Sequence, residues 1–234
     1  EFNRQAVSII SRYNFAPTET ARQNLVREGR SADTIFVTGN TAIDALRFTV
    51  KEQYSHPELE WAADSRLILI TAHRRENLGE PMRNMFRAIR RVMDEHPDVK
   101  AIYPIHMNPT VREIANEYLG GDDRIHIIEP LDVLDFHNFM ARSHLILTDS
   151  GGIQEEAPSL GKPVLVMRDT TERPEGVAAG TLKLVGTSEE TIYQEFTKLL
   201  IDSTLYEAMA GTANPYGDGH ACERIVKILS EKLK

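Results

Sequence analysis

Cysteine occurs once in these 234 residues, at Cys222, so no internal disulfide can staple the chain. A lone thiol fits a reducing compartment, and its place in an amphipathic C-terminal helix offers no group that would activate it as a nucleophile. Basic charge is also short. The 27 Lys and Arg stand against 35 Asp and Glu, a formal net charge of −8. Because phosphate-backbone binding needs a basic field, no nucleic-acid partner is expected. No apolar run approaches the roughly 18 residues of a membrane span. No signal peptide opens the chain either, so a cytoplasmic protein without membrane contact is expected. The 8 histidines fall in separate segments without metal-ligand spacing, and the sequence implies neither metal nor cofactor. Repeats and low-complexity tracts are absent.

What the chain does have is alternation. From Arg66 onward, apolar runs of strand length alternate with helical periodicity: strands at 66–71, 99–105, 125–128, 144–148, 163–167 and 181–185, helices at 81–96, 109–119, 134–142, 154–160, 188–201 and 205–209, then a last helix. Such alternation predicts an α/β fold with a doubly wound parallel sheet. Segment 168–180 reads as a loop, and Ser55-His56-Pro57-Glu58 as a linker. Ahead of that linker lie a helix over 1–10, a strand over 12–17, a helix over 18–28, a strand over 34–38 and a helix over 41–54. Two αβ units make no core of their own. The expected organisation is therefore a remnant of an N-terminal Rossmann-like domain over 1–57, a nucleotide-binding Rossmann-like domain over 58–213, and a C-terminal helix over 214–234 packing back toward the first. The chain reads as a C-terminal piece of a longer protein.

In parallel sheets of this kind ligands bind at the carboxyl ends of the strands, and there the polar residues of this chain collect. His73-Arg74-Arg75-Glu76-Asn77, His106, Leu131 with Phe136 one turn on, Asp149-Ser150-Gly151-Gly152 and Arg168–Pro174 each follow a strand. The Ser150-Gly151-Gly152 turn feeds a helix N-terminus, where free N–H groups and the helix dipole favour an anion such as a diphosphate. Glu156, a turn into that helix, can accept hydrogen bonds from a ribose diol. His73 and the arginines beside it suit a phosphorylated ligand. Phe136 can stack on a planar base, but its helical spacing equally fits a core residue. Asp149 reads as ordering the turn rather than as a base.

With those segments assembled, the sequence resembles the non-hydrolysing UDP-N-acetylglucosamine 2-epimerases. The likeness is carried by Asn3-Arg4, Phe15-Ala16-Pro17-Thr18, Val37-Thr38-Gly39-Asn40-Thr41, Thr71–Asn77, Asp149–Glu156 and Arg168–Gly176, and the pattern is that of Gram-positive members. The resemblance implies a glycosyltransferase-B architecture and interconversion of UDP-GlcNAc and UDP-ManNAc, in which UDP is eliminated to a glycal and added back. It also implies supply of ManNAc to cell-surface polysaccharide. By motif, Ser150, Gly151 and Gly152 would hold the diphosphate, Glu156 the ribose, Arg173 further phosphate charge, and Phe136 with the Leu131 backbone the uracil. His73 would assist departure of UDP, and Arg4 matches an active-site arginine of the other domain. Arg74 and His106 match residues that contact a second UDP-GlcNAc acting as activator. A homodimer is implied as well.

One part of the family pattern is missing. Proton abstraction at C2 needs a positioned base, and no carboxylate in this chain matches one, so the chain by itself is expected to bind UDP without epimerising. Two other readings stay open: a UDP-sugar-dependent glycosyltransferase of the same architecture, and a non-catalytic nucleotide-sugar-binding fragment.

Overall fold

The computed structural model describes residues 2–233, which divide into two compact units. The first comprises residues 1–48 with 214–234, and the second residues 49–213.

In the first unit, α1 (Phe2–Ile10) precedes β1 (Asn14–Ala16), α2 (Glu19–Arg27), β2 (Ile35–Val37) and α3 (Thr41–Thr49), and β1 pairs with β2 in parallel. Thr18 caps α2 by accepting from the Ala21 N–H at 3.1 Å, one of the donors a helix start leaves over. The C-terminal segment packs against the rest of this unit. Gly39, at φ +91°, lies so close to the chain at Gly217 that a Cβ would stand 3.3 Å from the Gly217 Cα, while the Asn40 N–H donates to the Tyr216 carbonyl at 2.8 Å. The buried Asp44 carboxylate accepts from the N–H groups of Ala221 and Cys222 at 3.0 and 2.7 Å, and so caps α12 (Ala221–Lys232) from α3.

The second unit holds α4 (Pro57–Trp61), β3 (Arg66–Thr71), α5 (Glu80–Glu95), β4 (Val99–Pro104), α6 (Pro109–Leu119), β5 (Ile125–Ile128), α7 (Val133–Arg142), β6 (Leu145–Thr148), α8 (Ile153–Glu156), β7 (Val164–Val166), α9 (Pro174–Ala179), β8 (Leu182–Leu184), α10 (Glu189–Ile201) and α11 (Ser203–Ala210). Its six strands form one parallel sheet in the order β5-β4-β3-β6-β7-β8. Strands covered on both faces need apolar residues at every position. Leu67, Ile68, Leu69 and Ile70 of β3 and Leu145, Ile146 and Leu147 of β6 meet that demand and are buried. On α5 the buried residues Met82, Met85, Phe86, Ile89, Val92 and Met93 recur at helical spacing, placing one stripe on the sheet.

Four elements differ from expectation. The helix beginning at Thr41 stops at Thr49 instead of Tyr54. The following residues are tied to α7 instead: the Lys51 N–H donates to Asn138 Oδ1 at 2.9 Å and Tyr54 donates to Asp135 at 2.5 Å. The two compact units divide after Phe48. The expected linker opens α4, with the His56 ring accepting from the Glu58 N–H and Pro57 in the first turn, a position where its missing N–H costs nothing. The helix expected over 154–160 is α8 followed by a 3-10 turn over Ala157–Leu160, since Pro158 has no N–H to extend the α ladder. The loop 168–180 contains α9, which ends at Gly180 with φ +84°.

At the opposite edge of the sheet from the ligand loops, burial first and then the charges of Arg66 and Lys162 hold the His144 imidazole down at about 4. Its ring stacks on Tyr206 at 4.3 Å. The unfolded chain takes up this proton near pH 6.5 and the folded chain only near 4, so stability falls as pH drops through that window. A loss of roughly 2 kcal/mol is expected in urea unfolding between pH 6.5 and 4. His144→Phe should flatten that slope; an unchanged slope would mean that other groups set it.

Candidate functional site

Strand order reverses between β3 and β6, since β4 and β5 lie to one side and β7 and β8 to the other. A crevice opens at the carboxyl ends of strands that flank such a point. The two loops leaving it are His73–Asn77 and Asp149–Gly152, the two segments most prominent in the sequence.

Asp149 joins them. Its buried carboxylate accepts from the His73 N–H at 3.0 Å, the Arg74 N–H at 2.8 Å and the Asn77 side-chain amide at 3.0 Å. Beneath it the hydroxyls of the register partners Thr71 and Thr148 lie 2.6 Å apart. The buried Tyr103 hydroxyl donates to the Ala72 carbonyl, and its phenol is pushed above its ordinary range by burial first and then by the Asp149 charge. The His73 loop is thus held at both ends by groups that do not reach the crevice. Asp149 was expected to order its own turn, and its carboxylate instead orders the His73 loop; Asn77 had no local signal beyond its place in the motif.

The Ser-Gly-Gly turn forms an anion cradle. The Ser150 N–H is used by the Thr148 hydroxyl at 2.9 Å, and the Gln154 amide donates to the Ser150 carbonyl at 3.0 Å. Among the described residues, no hydrogen bond engages the N–H of Gly151 or Gly152. A Cβ on Gly151 would stand 3.6 Å from Nη2 of both Arg74 and Arg173, so two guanidinium groups converge over the turn. Because α8 has only four residues, its dipole is small, and these cations with the free N–H groups supply most of the positive potential.

Each arginine is oriented by carboxylates. Arg173 pairs with the buried Glu155, and Arg74 approaches Glu76 at 3.5 Å and Glu172 at 3.4 Å. The buried Arg168 also binds Glu172 and Glu76, at 2.7 and 3.0 Å. The Arg168 guanidinium holds the Glu172 carboxyl at about 2, so Glu172 is ionised throughout the neutral range.

Beside the turn lies a cavity of about 300 Å³ lined by His73, His106, Met107, Leu131, Phe136 and Ile153. Its walls are mostly apolar, and Phe136 presents an aromatic surface to it. The rings of His73 and His106 stack at 5.2 Å with 18° between their planes. No carboxylate lines this space.

Nine of the eleven sequence-nominated residues therefore lie around one crevice edge or its cavity: His73, Arg74, His106, Leu131, Phe136, Ser150, Gly151, Gly152 and Arg173. Glu156 is the tenth. Its Oε1 lies 3.4 Å from where a Cβ on Gly152 would stand, and its Oε2 is 3.3 Å from Nε2 of His137. Arg4 belongs to the first unit, where it bonds Glu28 at 2.5 Å.

A family model described as UDP-N-acetylglucosamine 2-epimerase matches residues 1–230. The UDP-N-acetylglucosamine 2-epimerase of Bacillus subtilis is 62% identical over 229 residues, which cover 98% of this chain and 60% of that protein. The solved structure of S. aureus MnaA with UDP superposes with a TM-score of 0.96 at 54% identity, covering 100% of this chain and 64% of that one. The Neisseria meningitidis UDP-GlcNAc 2-epimerase bound to UDP-GlcNAc gives 0.90 at 46%, covering 99% and 64%. This chain thus spans about 60% of the length of the curated relatives it matches. The fold is the α/β, glycosyltransferase-B type of those relatives. Since the family model runs almost from end to end and high identity accompanies it across both units, the chain belongs to the UDP-N-acetylglucosamine 2-epimerase family.

Proposed function

We propose that this chain is the nucleotide-binding portion of an isomerase that interconverts UDP-GlcNAc and UDP-ManNAc in the cytoplasm, supplying ManNAc for cell-surface polysaccharide. The observation that carries the reading is the meeting of the Arg74 and Arg173 guanidiniums at Gly151, beside the free N–H groups of the turn and next to an apolar cavity. A nucleoside diphosphate needs those three features together: cations and N–H groups for its phosphates, and a flat apolar surface for its base. That the S. aureus relative is solved with UDP and the N. meningitidis relative with UDP-GlcNAc supports the same ligand here.

In this reading Ser150, Gly151, Gly152 and Arg173 hold the diphosphate, Glu156 the ribose, and Phe136 with the Leu131 backbone the uracil. As the bond from C1 to the UDP oxygen breaks and the C2 proton leaves, a glycal forms, and the negative charge grows on the diphosphate. His73 stands beside the turn to stabilise that charge. Readdition of UDP after the proton returns on the other face completes the epimerisation. Arg4 contributes from the other domain, Arg74 reaches both this diphosphate and a second UDP-GlcNAc that activates the enzyme, His106 contacts that activator, and the whole protein is a homodimer. The further point, that residues 1–234 bind UDP without turning over its sugar, rests on the sequence, in which no carboxylate matches a base for the C2 proton.

Incubation with UDP-GlcNAc in deuterated water, followed by NMR, tests this. The chain by itself is expected to leave the sugar unchanged; adding a separately made N-terminal segment of the B. subtilis relative is expected to yield UDP-ManNAc labelled at C2. Transfer of the sugar to an acceptor would identify a glycosyltransferase instead, and tight binding without turnover in the complemented mixture a binding fragment. Phe136→Ala is expected to weaken UDP binding about tenfold, since base stacking on an aromatic side chain contributes on the order of 1–3 kcal/mol. Unchanged affinity would place the uracil elsewhere.

A further inference from the structure

Glu156 does not stand alone in the site. Behind it, on α7, the buried His137 ring has Nε2 3.3 Å from Glu156 Oε2 and Nδ1 2.7 Å from the hydroxyl of Thr49. In a neutral ring one nitrogen carries the hydrogen and the other accepts. Glu156 as a carboxylate can only accept, so the hydrogen belongs on Nε2, and Nδ1 then accepts from the Thr49 hydroxyl. The neighbouring Asn138 fixes the same strap from the other side: its side-chain amide donates to the Thr49 carbonyl at 2.8 Å, and its Oδ1 accepts from the Lys51 N–H at 2.9 Å. The backbone of Thr49 and Lys51 is thus held against α7.

The consequence falls on the carboxylate. With Oε2 turned toward an imidazole N–H, the other oxygen, Oε1, lies over Gly152 with no partner among the described residues. Gly152 lies beneath that oxygen, which is 3.4 Å from where a Cβ would stand. A carboxylate with one oxygen set 3.3 Å from a buried imidazole nitrogen and the other open is preorganised to accept from a hydroxyl pair, because it loses less side-chain freedom on binding.

We propose that His137, itself held by Thr49, is a positioning residue for recognition of the nucleotide's ribose diol by Glu156. The proposal rests on the reading that Glu156 receives the ribose, and it adds the residue that makes Glu156 selective.

The test is calorimetric titration of the 234-residue chain with UDP and with 2′,3′-dideoxy-UDP, which keeps the base and phosphates but lacks the diol. The unsubstituted chain is expected to prefer UDP by about tenfold or more, the scale of a hydrogen bond to a charged group. Glu156→Gln should abolish most of that preference. His137→Gln should lower UDP affinity about tenfold while leaving dideoxy-UDP within about twofold, and Thr49→Val should do the same to a smaller extent, about threefold. Thr49→Val leaves the ring in place, so it decides the matter if His137→Gln fails to fold. Equal weakening of both ligands by these variants would make the role purely structural and overturn the proposal, as would unchanged preference. No preference in the unsubstituted chain, with UDP still bound, would overturn the ribose role of Glu156 and this proposal with it. No UDP binding at all by the unsubstituted chain would instead sink the nucleotide reading itself.

Discussion

Asp149→Ala is expected to cost about 3 kcal/mol of stability in urea unfolding and to remove measurable UDP binding. The carboxylate is buried and satisfied by three neutral donors from the His73 loop: two backbone N–H groups and the Asn77 amide. Truncation orphans all three at once in a place water does not reach, and each orphaned donor costs on the order of 1–3 kcal/mol, offset in part because a buried charge is also removed. The loop that carries His73 and Arg74 then loses its anchor, so the binding defect follows from the structural one. Asp149→Asn retains one oxygen for these donors but turns an amide toward the His73 N–H, and about half the loss is expected from it. A stability change under about 1 kcal/mol for Asp149→Ala would show that the loop is held by other contacts.

The second large effect concerns the paired guanidiniums. Arg74→Ala and Arg173→Ala are each expected to lower UDP affinity about tenfold and together about a hundredfold, because each removes charge-assisted hydrogen bonds of on the order of 1.5–3 kcal/mol. Binding of uridine, which has no phosphate, should not change. Arg173→Ala also leaves the buried Glu155 without its counter-ion, so its stability should fall while that of Arg74→Ala, whose partners are half exposed, should not. Arg173→Lys keeps the charge but not the planar fork and should recover stability more fully than affinity. Equal weakening of UDP and uridine by either substitution would remove the arginines from the diphosphate.

Much of this site was legible from order along the chain. Each strand of the second unit is an apolar run bounded by a turn or a helix start, so the residues standing just after it could be read off, and these are the residues that meet at the crevice. The elements that escaped have local causes. Six-residue α9 carries Gly176 within it and lacks an apolar stripe long enough to show periodicity. The turn after Glu156 depends on Pro158, whose effect is to change a helix type rather than to end a helix. His137 stands on a helix that also buries Phe139 and Met140, so spacing alone marks it as interior; its contact with Thr49 spans 88 residues of sequence. Asp149 shows the other limit. Its position suggested an organiser of its own turn, but the loop it organises lies 72 to 76 residues away, a distance at which no periodicity speaks.

Calorimetric titration of the 234-residue chain with UDP, paired with Ser150→Trp, tests the central claim most directly. The account predicts one site in the micromolar to millimolar range, roughly −4 to −8 kcal/mol, abolished when the indole fills the Ser-Gly-Gly turn. A folded chain that gives no binding heat, or one that binds UDP equally well with tryptophan at position 150, would contradict it.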